Sequence, residues 1–273
     1  VGAIGTSRSA AAGLAVVSAG IVADRLGGDA VVAAAGIVGL VCAVAYAAFH
    51  VPPIGPAPRF SARESVRTLR TRPALSRIVL AQGFYGGGFI AAAPLFALVY
   101  VDRLGLSLAE VGLVGILTAA ATTFSFYAWG AVADRLGPTA VLRAGSAIGL
   151  AGLVAYATAP GVVVLFLGAV AIGAANASID TGIASAVSNE TSLETRSAAM
   201  AGWNALTGMR GIAAPFAISG LVQLGVLDVS SGLLWCGIIC SIGVALYARA
   251  HSLRYEPAKP ATARAPTGAL EPA

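Results

Sequence analysis

The chain holds 273 residues, of which 58% are hydrophobic and only 11% charged, with a formal net charge of +5. Soluble domains carry about 25% charged residues, so the composition excludes an ordinary water-soluble enzyme or a nucleic-acid-binding module and points to an integral membrane protein. The apolar runs approach the ~20 residues that cross ~30 Å of hydrocarbon, and they do not alternate as barrel strands do. The predicted fold class is an all-α membrane protein with about eight transmembrane helices.

In chain order, the first run (9–23) opens with "RSAAAG" and leads into "GIVADRLGG". The second (30–50) contains Cys42. Next comes "PRFSARESVRTLRTRPALSR", carrying Arg59, Arg63, Arg67, Arg70, Arg72 and Arg77. Short arginine-rich loops stay in the cytoplasm, which fixes this segment as a cytoplasmic loop. The third run (77–101) holds Gln82 and then "GFYGGGF", whose glycines predict a weak, bendable helix. The fourth (107–133) starts at Glu110, read as a solvated helix start, and includes Thr118, Thr122 and Thr123, expected to bond their own backbone. It ends on "GAVADRLGP".

Only Ala159-Pro160-Gly161 separates the fifth run (139–159) from the sixth (161–187), which places Asn176 and Asp180 four residues apart on one helix face. The seventh (199–223) carries Trp203, Asn204 and Arg210, and Arg210 falls close to the midplane with Asp180 about 9 Å shallower at 1.5 Å per residue. Ionisable residues inside spans are functional candidates, because their burial is unfavourable. The eighth run (231–250) holds Cys236 and Cys240, read as packing thiols.

Counting outward from the arginine-rich loop, Arg8, Arg135, Arg143, Arg196, Arg249, Arg254, Lys259 and Arg264 fall on its side, while Arg25 and Arg103 fall opposite. Two echoes cross this pattern. Ala-Asp-Arg-Leu-Gly occurs at Asp24 and again at Asp134, three spans apart, so the copies are expected on opposite faces. "RSAAAG" at 8–13 returns as "RSAAMAG" at 196–202, six spans later, the period of two parallel six-helix bundles.

"GAVADRLGPTAVLRAG" resembles the signature loop of the major facilitator superfamily, G-x-x-x-D-[RK]-x-G-[RK]-[RK]. It matches at Gly130, Asp134, Arg135 and Gly137 and departs at Pro138 and Thr139, with Arg143 the expected substitute for the missing charge. "NETSLETRSAAMAGWNALTGMRGIAAPF" resembles the junction of the tenth and eleventh helices in bacterial members. The resemblance implies a carrier of twelve helices in two halves, of which this chain would hold the last eight, an N-terminally truncated form.

Residues 1–50 would then be the last two helices of an incomplete first bundle and 51–76 the linker. Residues 77–250 would form the second bundle and 251–273 a disordered cytoplasmic tail. Family architecture makes Gln82, Tyr85, Asn176 and Asp180 the expected cavity residues, with Asn204 and Arg210 on a flanking helix. Asp134 and Arg135 become a cytoplasmic gate, Asp134 facing the free N–H groups of the next helix and meeting Thr6–Arg8 when the mouth is shut.

No catalytic residue, metal or cofactor is expected. The implied function is secondary active transport of a small solute by alternating access, proton-coupled through Asp180. The implied partners are the solute, protons, the lipid bilayer and the missing N-terminal helices, with no nucleic acid. The single lysine, Lys259, among 17 basic residues suggests a GC-rich bacterial source, hence a bacterial inner membrane with the C-terminus cytoplasmic. The alternatives are a channel or a non-transporting membrane scaffold and, less favoured, an intramembrane enzyme, for which the chain has no H-E-x-x-H or comparable cluster.

Overall fold

A computed structural model describes residues 25–48 and 61–249. These fold into helices, with no strand among the described residues: α1 (Gly28–Ala48), α2 (Ala62–Thr71), α3 (Pro73–Leu98, extended by a π-turn over Val99–Arg103), α4 (Leu108–Leu136), α5 (Pro138–Thr158), α6 (Val162–Glu190), α7 (Leu193–Gln223) and α8 (Val229–Arg249). The six helices α3 to α8 are long and apolar enough to cross a membrane. Helix α1 matches the second expected span and is apolar throughout after Asp29. The first expected span (9–23), Arg8 and the tail (251–273) lie outside the described residues.

Local chemistry sets the boundaries. Ser61 caps α2 by accepting from the Glu64 N–H at 3.2 Å. Ser107 and Glu110 form a reciprocal capping box at the start of α4, which gives the expected solvated start a definite job. Gly137 takes φ 83° between α4 and α5, a left-handed backbone that favours glycine, and Pro138 occupies the first turn of α5.

The linker is more structured than a loop. Helix α2 exposes Arg63, Glu64, Arg67 and Arg70 and buries Ser65, Thr68 and Leu69. Ser65 and Leu69 seat against Gly202 of α7, where an added Cβ would lie 3.0–3.1 Å from their side chains. Helix α3 accordingly starts at Pro73, four residues before the expected span, and α7 starts at Leu193, six before.

Glycines bring α3 and α8 together. A Cβ on Gly88 would meet the Cys236 carbonyl at 2.6 Å, and one on Gly243 would meet the Ala81 carbonyl at 2.6 Å. The Cys240 thiol donates to the Tyr85 carbonyl at 3.2 Å across the same contact. Helix α3 is continuous through "GFYGGGF"; Gly88 serves the close approach to α8, and Gly86 leaves room for the Arg210 side chain of α7. Helices α5 and α6 pack likewise, with Gly145 against Ser178, Gly152 against the Gly168 carbonyl and Gly182 against Leu142.

Candidate functional site

Helices α3, α4, α6 and α7 enclose a cavity of about 980 Å³, while α5 and α8 stand behind it. That volume lies in the range of small-molecule sites. Its polar lining includes Gln82, Asn176, Asp180, Asn204, Thr207 and Arg210. The structure thus gathers five of the six sequence-derived cavity residues. Phe89, Val114, Phe126, Ile179 and Ile183 supply an apolar remainder.

Arg210 is the most constrained of the polar group. Its guanidinium donates to the Gln82 carbonyl at 2.6 Å and to the Thr207 hydroxyl at 3.1 Å, and it lies 5.0 Å from the Trp203 ring centroid. Its position makes α7 a wall of the cavity and not merely a flanking helix. A Cβ at Gly86 would stand 2.8 Å from Arg210 Nη1, so the guanidinium occupies space that only glycine leaves open. Asp180, on α6, is exposed to the cavity opening.

Tyr85 departs from expectation. It is fully buried, and its hydroxyl wedges against Gly149 of α5, away from the cavity. Gln82 and Gly86 share the cavity face. Tyr85 lies at the edge of that face, where Gly243 of α8 abuts its backbone and Cβ and Gly149 of α5 leaves room for its hydroxyl. Gln82 bridges the two environments, because Tyr247 of α8 donates to its Oε1 at 2.5 Å while its carbonyl receives Arg210. The threonines of α4 bond their own helix as expected: Thr118 to the Val114 carbonyl, Thr122 to Thr118 and Thr123 to Ala119. Thr122 also reaches the Gly173 carbonyl of α6 at 3.0 Å.

The signature segment lies at the end of the bundle that carries α2. Asp134 and Arg135 are exposed in the last turn of α4. The placement of Asp134 as a cap on the next helix is not what the structure shows: Gly137 is the N-cap of α5, without a side-chain capping bond. Helix α4 continues through Asp134 to Leu136, so this carboxylate stands in the last turn of α4. A Cβ at Gly130 would meet open space. Arg143 does not stand with the loop alone, since its Nε donates to the Tyr247 carbonyl of α8 at 2.7 Å.

The far end holds a cluster that the sequence reading assigned only to topology. Arg103, carried by the π-turn, donates to the carbonyls of Tyr156 and Ala157, the latter at 2.8 Å, and to Ser230 Oγ at 3.2 Å. Tyr100 and Tyr156 share a hydroxyl–hydroxyl bond of 3.0 Å, and Phe96 packs on Tyr156 with ring centroids 4.4 Å apart. The available signal for Arg103 is its expected place, shared with Arg25, opposite the majority of the arginines.

Among the described residues no group of three or more His, Cys, Asp or Glu stands together as a metal site. The family model of the Major Facilitator Superfamily matches residues 1–162 and, in a second placement, residues 78–271. The two matched ranges overlap over residues 78–162 and together span nearly the whole chain. No curated protein and no solved structure matches the chain.

Proposed function

The chain belongs to the major facilitator superfamily, and on that premise we propose that it is a secondary carrier in which α3–α8 form one bundle and the α3/α4/α6/α7 cavity receives a small solute. The cavity's polar residues carry this reading. They converge within helices that are otherwise apolar, at one site large enough for a metabolite. Helix α1, exposed along nearly its whole length, belongs in this reading to the other bundle.

Alternating access then exchanges two arrangements of the bundles, and the Asp134–Arg135 turn supplies contacts at the cytoplasmic mouth that form in one arrangement and break in the other. Asp180, exposed to the cavity opening, is the proposed proton-coupling group. The Arg-rich end faces the cytoplasm of a bacterial cell, so a cysteine replacing Glu64 should resist impermeant maleimide applied from outside.

Counterflow in vesicles tests the carrier reading. Unlabelled solute trapped inside should drive transient uphill entry of its labelled form, which a channel or scaffold cannot do. Asp180→Asn should abolish pH-driven transport while counterflow and expression persist. Unchanged pH dependence in that variant removes Asp180 from coupling.

A further inference from the structure

We infer that Arg210 is the anchor for a singly charged organic anion, a monocarboxylate with an apolar body, bound in the α3/α4/α6/α7 cavity. The inference rests on the reading of that cavity as the solute site and specifies its ligand. Arg210 lies 17 residues into α7, about 26 Å along the helix at 1.5 Å per residue. A cation so deep in an apolar helix is unfavourable unless something compensates it.

The compensation in the protein is incomplete. The contacts of the guanidinium are the Gln82 carbonyl, the Thr207 hydroxyl and the Trp203 face, all uncharged. Among the described residues no carboxylate forms an ion pair with it, and its Nε is buried without a hydrogen-bond partner. Neutral acceptors and a ring face orient a guanidinium but do not neutralise it. With five donors in a planar fork, the group retains capacity for a carboxylate.

Three features define the ligand. Gly86 leaves the space that the guanidinium fills, and Gln82 and Trp203 hold it from two helices, so its fork is positioned before any ligand arrives. One cation without a counterion among the described residues matches one negative charge better than the two of a phosphate monoester dianion. Phe89, Ile90, Phe126 and Ile183 offer apolar surface to the rest of the molecule.

Asp180 lines the same cavity, seven residues nearer the α6–α7 turn than Arg210, an axial offset of about 10 Å. A carboxylate at that offset in a partly buried cavity opposes a second negative charge on the ligand, which favours a monoanion over a dianion.

Equilibrium binding to the full-length protein in nanodiscs, with 1-naphthoate and its uncharged isostere 1-naphthamide at neutral pH, tests the assignment. Naphthoate should bind at least about tenfold more tightly, the scale of a charge-assisted fork. Arg210→Gln should erase the difference by weakening naphthoate alone, and Arg210→Lys should restore part of it. Equal affinities in the unmodified protein, no saturable naphthoate binding, or a preference that survives Arg210→Gln would each overturn the assignment. The comparison of the two ligands on the unmodified protein decides the matter even where a variant misfolds. Counterflow that succeeds without carboxylate preference would retain the carrier and discard the anion.

Discussion

Helices α5 and α7 have similar hydropathy, 1.5 and 1.3 in their most apolar windows, yet 50% of the α5 window is buried and only 6% of the α7 window. Their glycines explain the contrast. On α5, Gly145, Gly149 and Gly152 all face neighbours that would obstruct a Cβ, as do Gly88 of α3 and Gly243 of α8. On α7, Gly208, Gly211 and Gly220 face open space, and so do Gly112 and Gly130 on α4. Helices α5, α6 and α8, and α3 at Gly88, turn glycines toward neighbours inside this bundle. Helix α4 at Gly112 and Gly130, and α7 beyond Gly202, keep theirs on surfaces that the bundle leaves uncovered. In a membrane chain, burial follows where the small residues point more than how apolar the helix is.

The strongest way to break the contrast is to fill a packed glycine. Gly243→Ala places a methyl against the backbone of Tyr85 and Ala81, where no side chain can swing aside. A loss of about 1–3 kcal/mol is expected from overpacking, measured by unfolding in detergent micelles. Arg103→Gln should follow in size, because it leaves the carbonyls of Tyr156 and Ala157 without their donor. The glutamine amide can still serve one of the two, so a loss of about 1–2 kcal/mol is expected. Arg103→Lys should recover only part of that, lacking the planar fork.

On the open helices the same chemistry should reverse sign. Gly208→Ala and Gly211→Ala meet no neighbour and should stabilise the helical state by up to about 1 kcal/mol each in an unfolding titration. Loss of stability there would mean that α7 is as closely covered as α5.

The smallest effect belongs to Asp228, which caps α8 by accepting from the Ser231 N–H at 2.7 Å. Bonds from the Ser231 hydroxyl and N–H hold its carboxyl below the usual carboxylate range. With the folded-state value depressed, its contribution is complete above the ordinary value of about 3.9 and fades as the pH falls through the lower folded one. Asp228→Ala should therefore lower the melting temperature slightly at neutral pH and not at strongly acid pH. A uniform drop at every pH would assign the role to packing.

How much of this was legible depends on where each signal resides. The apolar runs and Ala159-Pro160-Gly161 located α3–α8, because length and helix breakers are local properties. The repeated Ala-Asp-Arg-Leu-Gly was legible as a duplication, and the structure gives it a common local basis: Gly27 and Gly137 both take positive φ, 85° and 83°. Their surroundings differ, since Gly137 is buried beside α5 whereas Gly27 is exposed. Most of the cavity residues were legible from polarity within spans.

The destination of Tyr85 was not, because a tyrosine in a glycine-rich helix reads equally as cavity lining or as packing until its neighbour α8 is known. Nor were the partners of Arg103. Helix α5 ends on Ala159 without a left-handed glycine, and its last carbonyls are satisfied by a residue more than fifty positions earlier in the chain, which no local pattern announces.

That long-range contact has a consequence for biogenesis. The ribosome finishes Arg103 before any of its partners exist. Tyr156 follows 53 residues later and Ser230 127 residues later. At translation rates of about 5–20 residues per second, the delays are roughly 3–10 s and 6–25 s. Until then the guanidinium must be accommodated by water, lipid headgroups or the insertion machinery. The far end of the bundle is thus fastened in two timed steps, first when α5 arrives and again when α8 closes on it. A ribosome stalled between those steps would hold α3 and α5 already joined and α8 still to come.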